Sequence, residues 1–203
     1  MRTLLRRYRD DQRGVTAVEA SLLSAAFVLL LGAAIEMGMA YHRYNAAVQS
    51  ARIGARLAAT NPPVSSTLAN MTGLGGGVQA GDPLPPYSIT CSGSTRRCSQ
   101  GGYNASAMDV LIHGPDGVSC TARGNRAAQG MCDYVDLDGS NVEVRYESSG
   151  LGTAGRPADP VPLITVTVTG LEREFVLLER IFPDGLSMRP ISVTVMAEDL
   201  GDS

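Results

Sequence analysis

Arg13-Gly14-Val15-Thr16-Ala17-Val18-Glu19 opens an apolar run from Ala20 to Ile35, and this stretch decides where the rest of the chain can go. An arginine-rich leader ends at Gly14, and Glu19 is the fifth residue after that glycine. Leu22, Leu23, Phe27, Val28, Leu29, Leu30 and Leu31 come next. Wound as a helix, the run is apolar all round and long enough to enter a bilayer. A carboxylate at the edge of such a helix costs on the order of 3 kcal/mol unless it finds a partner. Cutting the chain after Gly14 would supply one. The new α-amino group on Val15 would lie one helical turn from Glu19, and within reach of Glu19 on a neighbouring chain packed alongside.

The charge distribution sets the topology. Arg2, Arg6, Arg7, Arg9 and Arg13 stand against Asp10 and Asp11, a leader charge of +3, so the formal −3 of the whole chain leaves −6 for the remainder. Positive residues flanking a span stay on the cytoplasmic side, which sends the bulk of the chain outward. An acidic exported part is no partner for nucleic acid. All basic residues are arginine, a compositional bias rather than a site. Two other readings of the N-terminus compete with cleavage at Gly14: an uncleaved signal anchor, and a secretory signal cut after Ala40. The second is disfavoured because the apolar run exceeds an ordinary signal core and Glu36 interrupts it just before the cut. Glu36 is expected to pair with Arg43 or His42, or to extend toward the interface.

From Val15 no proline interrupts the helical pattern until Asn61-Pro62-Pro63, which predicts one helix of about 45 residues, about 67 Å long. In its second half Ala46, Ser50, Gly54 and Ala58 recur every fourth position beside Ala47, Ala51, Ala55 and Ala59, giving two ridges of small side chains. Such ridges admit close backbone approach, either of the chain's own sheet or of other subunits. Asn45, Gln49, Arg52 and Arg56 form a polar stripe on the other side. The organisation expected is a leader at 1–14, a long helix at 15–61, a Gly/Pro-rich linker or surface loop at 62–86, and a β-rich domain at 87–203. Strands are predicted at Tyr87–Cys91, Asp109–His113, Val142–Glu147, Leu163–Thr169 and Ile191–Met196, with a short amphipathic helix over Leu171–Phe182. Asp138-Gly139 reads as a hairpin turn before the third of these strands.

Cys91, Cys98, Cys120 and Cys132 all follow the apolar run, in the part that topology assigns to an oxidising compartment. Disulfides are expected, with the local pairings Cys91–Cys98 and Cys120–Cys132 ahead of the crossed ones. Neither pair has the spacing of a zinc site, and Asp133, Asp136, Asp138 and Gly139 fail the calcium-loop pattern because Tyr134 stands where the first aspartate is needed. His42 and His113 complete no nucleophile motif. No metal, cofactor or catalysis is therefore expected.

The Arg-rich leader, Gly14, Glu19, the block Gly-Ala-Ala-Ile-Glu-Met-Gly at 32–38 and the arginine- and alanine-rich continuation through Ala59 resemble the TadE/TadF-type pseudopilins of tight-adherence (Flp) pilus systems. The resemblance is close over the first third of the chain and only architectural beyond Asn61. It implies a pilin-like α+β fold, with the long helix transmembrane in its first half and an antiparallel sheet domain after it. It also implies a non-enzymatic minor pilin, cut between Gly14 and Val15 by a prepilin peptidase. Its partners would be other pilin subunits, the inner-membrane assembly platform and the lipid bilayer, with the N-terminus cytoplasmic and the C-terminal domain periplasmic. A single-pass anchored periplasmic binding domain that never enters a filament is the alternative.

Overall fold

The computed structural model describes residues 13–117, 120, 129–155, 161–171 and 189–197. Its first element is a long helix, α1 (Arg13–Thr60), followed by a single helical turn, α2 (Ser66–Ala69). Strands β1 (Ser88–Ser92) and β2 (Arg97–Cys98) lead to helix α3 (Ala105–His113). Two short 3-10 turns, Met131–Asp133 and Gly139–Asn141, precede strands β3 (Val142–Ser148), β4 (Pro162–Val168) and β5 (Ile191–Met196). The fold is α+β: a long apolar N-terminal helix, then an antiparallel five-stranded sheet in the order β2-β1-β3-β4-β5. The helix expected over Leu171–Phe182 lies, past Leu171, outside the described residues.

The chain divides into two compact units between His42 and Arg43, within α1. Before that division α1 exposes its apolar residues on every side, including Leu22, Leu23, Phe27, Val28 and Leu30. It is long and apolar enough to cross a membrane, and fits a single-pass anchor. Ser21 and Ser24 return their hydroxyls to the helix itself, donating to the Val18 and Ser21 carbonyl oxygens at 2.8 and 2.9 Å. That satisfies two polar groups without water, as a hydrocarbon environment demands. Glu36 is buried, at 7% exposure, and is not without a partner. This is not the position of a carboxylate extended toward the interface.

After the division, the sheet supplies one wall of the core. Alternation along β3 and β4 puts Val142, Val144, Tyr146, Ile164, Val166 and Val168 inward, and Ile89 and Cys91 of β1 join them. On the opposite face Thr165 meets Thr194 at 2.8 Å and Thr167 meets Ser192 at 3.0 Å, hydroxyl pairs across the β4–β5 register. Ala47, Ala51, Ala55 and Ala58 of α1 are buried in the same core as the inward sheet residues. Small side chains let a helix axis come close to what it packs on.

Two expectations are corrected. Asp109–His113 is not a strand but the end of α3. A short apolar run does not by itself distinguish strand from buried helix, and here the helix starts earlier than the run does. Asn104 caps it, its side-chain oxygen accepting from the Ala107 N–H at 3.3 Å. Ala107, Met108, Leu111 and Ile112 then fall on one buried face. Gly114 closes the helix at φ 90°, a conformation that disfavours other residues, and its N–H donates to the Val110 carbonyl at 2.8 Å. Asp138-Gly139, in turn, is no hairpin turn, because β3 pairs with β1 and β4 and not with anything just before it. Asp138 instead caps the 3-10 turn Gly139–Asn141, accepting from the Ser140 N–H while its own N–H donates to the Asn141 side chain.

The Gly/Pro-rich stretch 62–86, expected as linker or loop, contributes Val64 and Leu68 to the core, both fully buried. The Val64 N–H donates to the hydroxyl of buried Tyr146 at 3.0 Å, and burial pushes the Tyr146 hydroxyl pKa up to about 12. Tyr146→Phe keeps the ring and strands the Val64 N–H in a dry core, so a loss of about 1–3 kcal/mol is expected. Urea unfolding of the two proteins, read at equal m-value, checks it.

Candidate functional site

Two regions carry the candidate functional residues, one at the start of α1 and one around the end of α3. In the first, Gly14 and Val15 belong to the opening turn of α1 and Glu19 lies one turn on, exposed. Residues at i and i+4 share a helix face, so the Val15 backbone nitrogen and the Glu19 carboxylate lie on neighbouring turns of one surface. Thr16 to Leu31 are exposed throughout, an apolar surface that calls for lipid or for other helices around it.

Further along α1, the small-residue stripe is occupied by the chain's own C-terminal domain. Ser50, Gly54 and Ala58 are buried, and Ala46 is half-buried. The Ser50 hydroxyl donates to the Met131 carbonyl at 2.9 Å. Gly54 lies under the Met131 side chain, where a Cβ would fall 2.4 Å from the sulfur. Asn45, Gln49, Arg52 and Arg56 are exposed on the opposite side.

The four cysteines form two disulfides, Cys91–Cys98 and Cys120–Cys132. The first bridges directly opposed residues of β1 and β2 and ties the two-residue edge strand to the sheet. The second joins half-buried Cys120 to buried Cys132 in the 3-10 turn under Ser50. His113, at the last turn of α3, brings a ring nitrogen within 4.8 Å of both sulfurs of that pair. Its Nδ1 is held by the Asp109 carboxylate at 2.8 Å, an i, i+4 pair. A groove of about 630 Å³ opens beside it, lined among others by Arg96, Tyr103, Ser106, Asp109, His113 and Asp138. Hydrogen bonds from the Ser140 hydroxyl and backbone hold the Asp138 carboxyl below its usual range. Burial pushes the Tyr103 hydroxyl pKa up, partly offset by the Arg96 guanidinium.

Sequence reasoning singled out Gly14, Val15, Glu19 and the small stripe as candidates, and it gave no role to His113 beside the second disulfide. The signal within reach was Asp109 and His113 at helical spacing, and it vanished once that stretch was read as a strand.

No curated protein and no solved structure matches the chain. Residues 14–56 match the family described as TadE-like protein. The matched stretch begins at Gly14, includes Glu19 and runs into the buried small-residue stripe. Over residues 14–56, therefore, the chain is similar to the TadE-like proteins.

Proposed function

We propose that the chain is a minor pilin, or pseudopilin, of a Tad/Flp-type pilus, cut between Gly14 and Val15 by a prepilin peptidase and needed for assembly of the filament. One observation carries this reading: in a TadE-like segment, the Glu19 carboxylate stands one turn into a mostly apolar, exposed stretch of helix, at the spacing where a new chain end at Val15 would neutralise it. Glu19 then neutralises the amine of its own chain or of a neighbour and fixes the axial register between subunits, because a mismatched pair leaves a charge uncompensated in an apolar setting. The leader charge puts the N-terminus in the cytoplasm, and the disulfide-bonded sheet domain in the periplasm of a bacterium. Other pilin subunits, the peptidase and an inner-membrane assembly platform are the partners in this picture. The domain beyond residue 43 serves as an added, non-catalytic head on the assembly helix.

The N-terminal residue of the protein recovered from its native membrane tests the reading. Val15 is the expected result. Met1 would overturn it in favour of an anchored periplasmic module that never enters a filament, and Tyr41 would make the chain a plain secreted protein.

A further inference from the structure

Sequence spacing offers no zinc motif, yet the fold assembles three metal-binding side chains at one point. We propose that Cys120, Cys132 and His113 form a thiol-gated site for a soft divalent cation of the zinc type: closed as a disulfide, opened by a dithiol reductant, and then able to take the metal. Opening is a thiol–disulfide exchange. The dithiol supplies two electrons and two protons, the Cys120–Cys132 bond breaks to two thiols, and the reductant leaves as its own disulfide. Metal uptake then releases the two thiol protons, and His113 joins through a neutral ring nitrogen.

Three observations support the site. A ring nitrogen of His113 and both sulfurs lie within 4.8 Å of one another. Tetrahedral zinc, with Zn–S near 2.3 Å and Zn–N near 2.0 Å, needs ligand atoms about 3.3–3.8 Å apart, so once the bond is open only small side-chain movements are required. Asp109 already holds the His113 Nδ1 at 2.8 Å, the carboxylate partner that orients and strengthens a ligating imidazole bound through its other nitrogen. Two of the three ligands also sit on segments in close contact. The Gly130 backbone lies against the end of α3 so closely that a Cβ there would fall 2.2 Å from the Ile112 carbonyl oxygen and 2.4 Å from the His113 carbonyl carbon. That contact fixes the segment entering Cys132 against the turn that carries His113. His113 keeps 31% of its side chain exposed, at the groove, which gives an ion a way in. Three protein ligands leave a fourth position for water.

Cobalt(II) titration of the purified full-length chain in detergent tests the proposal, using a phosphine reductant that brings no competing thiols. The reduced protein is expected to show a thiolate-to-cobalt charge-transfer band that saturates at one ion per chain and is displaced by zinc. The oxidised protein is expected to show none. Cys120→Ser/Cys132→Ser abolishes the band, and Cys91→Ser/Cys98→Ser retains it. Asp109→Asn lowers affinity by about ten- to a hundredfold, and His113→Ala by more than that. Should the Cys91/Cys98 variant fail to fold, the Cys120/Cys132 and His113 variants still decide the matter. A band of unchanged strength in either of them, or no band in the reduced wild type, would overturn the site and leave an ordinary loop staple with a bystander histidine.

Discussion

Gly93→Ala is expected to destabilise the C-terminal domain by about 3 kcal/mol and to lower its melting temperature by roughly 10 °C. Gly93 follows β1 directly, and its N–H donates to the Val142 carbonyl at 2.9 Å. An added Cβ would stand 1.9 Å from the Gly139 carbonyl oxygen, 2.9 Å from its carbon and 3.1 Å from the Val142 oxygen. All three are backbone atoms, so no side chain can swing away. Relief requires the β1–β2 turn to part from the 3-10 turn Gly139–Asn141, breaking the Gly93 hydrogen bond and pulling on the first pair of the β1–β3 ladder. Gly139→Ala makes the control, because a Cβ there meets only the Ile112 Cδ1 at 3.5 Å, ordinary van der Waals contact. The two residues face each other across one close approach, yet only one should be costly. Thermal melts of both variants followed by circular dichroism check this, and equal shifts would refute the backbone-contact argument.

The elements written in long uniform patterns were legible. α1 could be read because nothing charged or cyclic interrupts its apolar run, and β3, β4 and β5 because Val142-Glu143-Val144-Arg145-Tyr146 and its counterparts alternate. Short elements resisted for a physical reason. In α3 the apolar residues from Val110 to Ile112 are consecutive, so the pattern carries no period, and the boundary marks were confined to Asn104 at its start and Gly114 at its end. Val64 and Leu68 were hidden by composition, two core residues in a stretch otherwise built of Gly, Pro, Ser and Thr. The small stripe announced a close contact but not its occupant. Only the placement of Met131 over Gly54 and Ser50 identifies the chain's own domain there. The proposed processing site could be put forward from sequence because its parts are adjacent in the chain, whereas His113 and Cys132 meet through the packing of Gly130 on α3, which no spacing rule contains.

On the proposed function, Glu19→Gln is expected to leave cleavage after Gly14 intact and to abolish incorporation into the filament. The scissile bond lies a full turn before residue 19, so the peptidase still meets the leader, Gly14 and Val15 unchanged. Removing the carboxylate strands the Val15 ammonium in an apolar contact between helices. Breaking one partner of such a pair costs about 3–5 kcal/mol, which at about 1.4 kcal/mol per decade weakens each docking step by roughly two to four orders of magnitude. Filament growth multiplies that penalty at every addition of this subunit. Glu19→Asp keeps the charge on a shorter stem and should restore part of the assembly, which separates loss of charge from loss of shape. The C-terminal domain is a different unit from the start of α1, so its melting temperature should not move in either variant. Three measurements on one set of strains therefore suffice: the N-terminal residue, the domain melt, and the amount of this chain recovered in sheared filaments. Cleaved, folded Glu19→Gln protein present in filaments at the wild-type level would show that the carboxylate has no part in docking, and the case for a pilin would then rest on the TadE-like match alone.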